Sequence, residues 1–222
     1  MTSICAAGAS LNALKSSPTA AARNYRLRIP APCGQLEVVV DDPVESRQGI
    51  ALIAHPHPLH GGTLDNKVVQ TLAKTLLGLG YVAVRPNFRG VGKSDGEYGG
   101  GEGEAEDMLA AARFVSGQFE EALPFVLVGF SFGAFVQSRV TRQLPGKRLV
   151  LVAPAVNMFD FGAVPRDTVV IAAENDELVP LASIEAWARP QGITVAAVPE
   201  AGHFFHRRLD ALSRTMIDLC RC

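Results

Sequence analysis

The sequence predicts a single-domain, doubly wound α/β fold: a mostly parallel sheet of about eight strands with helices on both faces. Three observations lead there. Short apolar runs alternate with longer segments of helical periodicity along most of the chain. The runs are near-continuous in hydrophobicity and rich in β-branched residues, as strands covered on both faces must be. The chain has 222 residues, 48% hydrophobic and 19% charged, which suffices for one full-sized core and falls short of two ordinary domains.

Residues 1–22 are rich in Ala and Ser, with neither the basic start nor the continuous apolar stretch of a secretory signal. They read as a weakly structured lead-in to a domain spanning 23–222. Tyr25–Ile29 and Leu36–Val40, separated by Pro30, Pro32 and Gly34, suit a hairpin or a pair of edge strands. The further strand-like runs are Ile50–Ala54, Val82–Val84, Phe125–Val128, Leu149–Ala153, Val169–Ala172 and Thr194–Val198. Helical patterns fall between them at Leu64–Leu77, Glu104–Phe119, Phe132–Gln143, Leu181–Arg189 and Phe205–Leu219. The glycine-rich stretch Gly96–Gly103 reads as a flexible surface loop.

Composition removes several classes of function. With 21 Lys+Arg against 22 Asp+Glu and no run of one sign, there is no concentrated basic face for nucleic acid. No apolar stretch approaches the roughly 20 residues that span a bilayer, so no membrane role is expected. The cysteines Cys5, Cys33, Cys220 and Cys222 are scattered, without a C-x-x-C pair, and fit the reduced thiols of a cytoplasmic protein.

In a sheet of this kind, ligands bind beyond the carboxyl ends of the strands, so chemical groups should follow apolar runs. Gly129-Phe130-Ser131-Phe132-Gly133 does so, as a G-x-S-x-G between strand and helix. A serine on a turn that tight leaves no room for a side chain at either flanking position. Its hydroxyl needs a base, and the base needs an orienting group. Asp176 follows one apolar run and His203 another, and the order Ser131, Asp176, His203 suits a nucleophile elbow. His206 is the alternative base. Glu174 and Glu177 are alternative acids, and Asp176 has a purely structural reading as a cap for the helix near Pro180. An oxyanion requires two donors. Phe132 N–H follows the nucleophile, and the loop after Ile50–Ala54 offers His57 first and Leu59 second, because Pro56 and Pro58 have no N–H.

These motifs resemble those of the α/β-hydrolase superfamily, in particular its small bacterial dienelactone-hydrolase-like members. The resemblance covers roughly residues 24–220. It rests on the H-P-H-P-x-x-G-G loop His55–Gly62, on Asn87–Ser94, on the elbow, on Asn175–Pro180 and on Gly202-His203-Phe204. It implies Ser131 as nucleophile, Asp176 as orienting acid, His203 as general base, and a second strand antiparallel to the rest. Dienelactone hydrolases proper use a cysteine where this chain has Ser131. The 14 residues between Ala153 and Thr168 are too few for a lid domain, so an open site is expected.

The expected activity is cofactor-independent serine hydrolysis of a small ester, thioester or related acyl substrate. Phe130, Met158, Phe159 and Phe204, with Phe205, are candidates to line an acyl pocket, and Arg89 to meet an anionic group. Two other patterns compete. His55, His57 and His60 lack only an aspartate at Leu59 to match a zinc-hydrolase H-x-H-x-D-H. Gly90–Ser94 mimics the end of a phosphate-binding P-loop, although Asn87 stands where its first glycine belongs and no helix follows. A catalytically inactive binding module is a third class.

Overall fold

The computed structural model describes residues 22–119, 122–144 and 148–220; the lead-in up to residue 21 with Cys5, and Cys222 at the end, lie outside them. The hairpin strands β1 (Arg23–Ala31) and β2 (Gly34–Asp42) pair antiparallel across the two-residue turn Pro32-Cys33. They outlast their apolar centres because antiparallel pairing carries on through the polar flanks, from Arg23↔Asp42 to Ala31↔Gly34. Next come β3 (Gly49–Ala54), α1 (Lys67–Gly78), β4 (Tyr81–Pro86) and α2 (Glu102–Ser116). The elbow half follows with β5 (Phe125–Phe130), α3 (Phe132–Val140) and β6 (Arg148–Val152). The chain closes with β7 (Val169–Ala173), α4 (Leu181–Ala188), β8 (Val195–Val198) and α5 (Leu209–Cys220).

Eight strands form one sheet in the order β1-β2-β4-β3-β5-β6-β7-β8. Only β2 runs against the others; β4, β3 and β5 to β8 pair in parallel. The core lies in two layers. Side chains of α1 and α5 pack one face, around Leu72, Leu76, Phe130, Phe205 and Met216. Those of α2, α3 and α4 pack the other, around Met108, Phe132, Phe135, Phe161 and Ile184. The central strands β3 and β5 are buried along their whole length. Each buried Ile, Leu or Val there stabilises by about 1.5–3 kcal/mol, so what they carry stands on the firmest part of the fold.

Two helices start later than their periodicity suggests. Asn66 caps α1 by accepting the Val68 N–H at 2.9 Å, so the helix begins at Lys67 rather than Leu64. Phe205 and Arg207 take left-handed φ values of 51° and 60°, which delays α5 to Leu209 while Phe205 is buried in the core. Gly96–Gly103 is not a free loop. The buried Glu104 carboxylate accepts the N–H of Gly99 at 2.8 Å and of Gly101 at 2.7 Å, fastening the segment to the start of α2. Among the described residues no helix is long and apolar enough to cross a membrane.

The competing motifs are spent on structure. His55 is fully buried at the end of β3; its Nδ1–H donates to the Pro56 carbonyl at 2.7 Å and its Nε2 accepts the Phe88 N–H at 2.9 Å. Neither ring nitrogen is left for a metal, and no group of three ligating side chains occurs among the described residues. In Gly90–Ser94 the anion is the protein's own. The buried Glu37 carboxylate takes the Lys93 N–H at 2.9 Å, the Asn87 amide at 2.8 Å and Arg26 at 3.0 Å. Burial pushes the Glu37 pKa up, but those hydrogen bonds outweigh it and hold the group below its ordinary value. A phosphate would have to displace this carboxylate.

Burial lowers the pKa of His55 to about 4. In the unfolded chain a histidine protonates near pH 6.5, so between 6.5 and 4 the unfolded state binds more protons and stability drops as the pH falls. Urea denaturation from pH 7 to pH 4 should therefore show a loss of up to about 3 kcal/mol that is missing from His55→Gln. Equal pH slopes for the two proteins would contradict the assignment.

Candidate active site

Ser131 stands between β5 and α3 with φ 56° and ψ −115°, a conformation that L-residues seldom adopt. The two glycines of the motif explain why it holds. A Cβ on Gly133 would lie 2.3 Å from the Ala54 carbonyl oxygen, and a Cβ on Gly129 2.3 Å from the Gly133 oxygen. Helix α3 thus rests directly on the backbone of β3 and β5, and the turn between them must be sharp. The Ser131 N–H is tied to the Val152 carbonyl of β6 at 2.9 Å, and its own carbonyl accepts the Ala134 N–H at 3.0 Å.

Two loops at the same end of the sheet deliver the partners. The β7 and β8 loops are laced together: Glu174 N–H bonds to Val198 O, Asn175 N–H to Ala201 O, and Glu200 N–H to the Glu174 carboxylate at 2.8 Å. Asp176 and His203, both buried, are brought into contact by this lacing. His203 Nδ1–H donates to Asp176 Oδ2 at 2.7 Å, and Nε2 lies 3.0 Å from Ser131 Oγ. The carboxylate fixes the tautomer that leaves Nε2 free to accept the hydroxyl proton. Asp176 Oδ1 also accepts the N–H groups of Leu178 and Val179 at 2.9 and 2.7 Å. Asp176 therefore does not cap the helix near Pro180, which starts without a side-chain cap; one of its oxygens holds the preceding turn and the other orients the histidine.

The Phe132 N–H opens α3, where no intrahelical carbonyl can reach it. Among the described residues neither it nor the His57 N–H donates a hydrogen bond. Leu59 is different: its N–H donates to His57 Nδ1 at 3.3 Å and its side chain is exposed, so the second choice for an oxyanion donor falls away.

With this geometry in place, comparison with known proteins is direct. A family model described as serine aminopeptidase, S33, matches residues 57–194. A lidless α/β serine hydrolase from Xanthomonas campestris is similar in structure, with a TM-score of 0.84 and 34% identity over 92% of this chain and 97% of that one. The chain belongs to the α/β serine hydrolases. An α/β serine hydrolase homologue from Coxiella burnetii gives a TM-score of 0.79 and 37% identity over 91% of this chain and 99% of its own. An uncharacterized Rickettsia prowazekii protein, RP471, is 31% identical over 183 residues, 76% of this chain and 77% of that one. As in the lidless relative, no lid domain occurs among the described residues: the segment between β6 and β7 holds no further helix or strand.

Beside Ser131 the hydrolase has a cavity of about 480 Å³, within the range of small-ligand sites. Met158, Phe159 and Phe204 line it as the sequence suggests, joined by Asn66, which no motif marks, and by His60, Leu178 and Val179, which lie inside the His55–Gly62 and Asn175–Pro180 motifs without having been expected in the cavity. Two expectations are corrected. Phe130 does not line the cavity; strand alternation turns it into the α1/α5 layer, fully buried, with its ring 5.2 Å from that of His203. Arg89 does not reach it either. Its guanidinium is bound by the buried Asp107 at 2.7 Å and packs against Gly103, and the residue lines a separate, smaller hollow. Phe205 is likewise core. The alternative triad members stand apart: His206 is exposed, and Glu174 is engaged with the Glu200 N–H.

The close contact at Gly133 gives a measurable consequence. Gly133→Ala would drive a methyl group into the Ala54 carbonyl, so it should cost at least about 2 kcal/mol of stability in thermal or urea unfolding. A variant as stable as the parent would show that α3 can retreat and that the turn is not forced.

Proposed function

We propose that this protein hydrolyses neutral esters or thioesters through a Ser131–His203–Asp176 triad and an acyl-enzyme intermediate. The observation that carries the reading is the unbroken hydrogen-bonded chain from Asp176 Oδ2 through His203 to Ser131 Oγ, at 2.7 and 3.0 Å. His203 Nε2 takes the hydroxyl proton as Ser131 Oγ attacks the acyl carbonyl carbon. The negative charge gathering on the carbonyl oxygen is met by the N–H groups of Phe132 and His57, each such donor lowering the barrier by about 3 kcal/mol. Protonated His203, with Asp176 beside its Nδ1–H, then passes the proton to the leaving oxygen or sulfur. Water, deprotonated by the same imidazole, releases the acid and restores the serine. No step calls on a cofactor.

One feature favours esters over peptides, although the family description names an aminopeptidase. An aminopeptidase has to bind an α-ammonium, yet no carboxylate is among the described residues lining the cavity. Among the described residues no lysine or arginine lines it, which disfavours an anionic acyl group in the same way. The free thiols of Cys33 and Cys220 support a reducing, cytoplasmic setting. They do not rival the serine: burial, aided by the charge of Asp107, pushes Cys33 up to about 11.

Steady-state hydrolysis of p-nitrophenyl acetate and butyrate tests the scheme. Ser131→Ala should remove activity, with a loss on the order of 10⁴-fold or more, and Asp176→Asn should lower kcat on the order of 10³–10⁴-fold with little change in unfolding midpoint. Full activity in Ser131→Ala would overturn it.

A further inference from the structure

The cavity is shared between the two layers of the fold, and this division gives direction to the substrate. The inference rests on the ester-hydrolase reading above. His203 must hand a proton to the leaving group, so that half of the substrate has to lie on the side of the serine where the imidazole stands. The imidazole packs on Phe130 at 5.2 Å, and Phe130 belongs to the layer covered by α1 and α5. On the same side the cavity wall is made by Phe204, its ring 6.1 Å from that of Phe130, and by Asn66 at the head of α1. Asn66 uses Oδ1 to cap the helix, and the cap leaves its NH₂ group unused.

The opposite wall has another chemistry. Phe132, Ala155, Phe159 and Val179 belong to or pack on the α2/α3/α4 layer, and all four line the cavity. Phe159 is held stacked on Phe135 with ring centroids 4.8 Å apart. Beyond them the wall runs out to the surface along Met158 and Leu178, which are 57% and 43% exposed. Large apolar side chains left this open at a cavity mouth mark a surface that gains by being covered.

We infer that the acyl half of the substrate lies along Phe132, Phe159, Val179 and out over Met158 and Leu178, while the alcohol half lies across Asn66 and Phe204. The substrate class that fits is an ester joining an apolar acyl chain to an alcohol with a hydrogen-bond acceptor near the ester, such as a monoacylglycerol with a short to medium chain. Asn66 Nδ2 donates to a hydroxyl of the alcohol half. The open rim accepts acyl chains longer than the enclosed cavity holds.

Two substrate series separate the halves. One varies the acyl chain, p-nitrophenyl acetate against hexanoate; the other varies the alcohol, methyl butyrate against glycerol monobutyrate, followed by pH-stat titration. Met158→Ser, at an exposed position, should lower the hexanoate-to-acetate ratio of kcat/KM by about tenfold and leave the alcohol ratio unmoved. Asn66→Ser retains a helix cap on a shorter side chain and should lower the glycerol-to-methyl ratio by about tenfold while leaving the acyl ratio unmoved. Crossed effects, or ratios that no variant shifts, would overturn the division while leaving the triad intact. Failure of the unmodified protein to cleave any ester would remove the ester-hydrolase reading and the division together.

Discussion

The approach of α3 to the backbone of β3 and β5 is the contact from which the site is built. Two positions without side chains let a helix lie directly on strand carbonyls, and the residue between strand and helix is left with no relaxed conformation. A backbone at φ 56° and ψ −115° costs on the order of 1–3 kcal/mol, and the surrounding sheet bears it because β3 and β5 are the most completely buried strands of the molecule. The strain has a use. It lifts a hydroxyl out of the sheet end and at the same time places the next N–H at the first position of a helix, where it has no partner. The proposed nucleophile and the proposed oxyanion donor thus trace to one steric constraint.

The rest of the site is held by hydrogen bonding between loops. Asp176 and His203 are 27 residues apart and meet because the β7 and β8 loops exchange backbone bonds at Glu174, Asn175 and Glu200. Asp176 divides its two oxygens between local turn and imidazole, so its geometry is fixed before any substrate arrives. On the far side, His57 is packed by ring contacts with Phe132 at 4.7 Å and Tyr98 at 5.1 Å. Tyr98 belongs to the segment that buried Glu104 fastens. A stretch of glycines that looks loose in sequence therefore backs the loop opposite the serine.

Much of this was legible beforehand, for physical reasons. Parallel strands buried on both faces announce themselves as apolar runs, so the strands flanking the site were found to within a few residues, and chemistry placed after those runs pointed to Ser131, Asp176 and His203. What stayed hidden depended on side-chain direction or on distant pairing. Phe130 alternates inward by the pleat of β5, which the motif around it obscures. Arg89 is claimed by Asp107 on another helix, and Glu37 fills the nest formed by Lys93 and Asn87; neither partner lies near in sequence. Gly96–Gly103 lies at the surface as its composition suggests, but composition does not reveal a buried carboxylate collecting two of its glycine N–H groups. Asn66 carries no motif, and the place of Leu178 and Val179 in the cavity wall, though they lie within Asn175–Pro180, emerges only when loops from separate strands converge.

The central claim is that Ser131 is nucleophilic because His203 stands 3.0 Å from its hydroxyl, oriented by Asp176. Labelling with a fluorophosphonate probe, followed by mass spectrometry of the digested protein, tests it at the atom concerned. The account predicts one covalent adduct, on Ser131, forming far more slowly in His203→Gln. An adduct on another residue, or an undiminished rate in that variant, would contradict it.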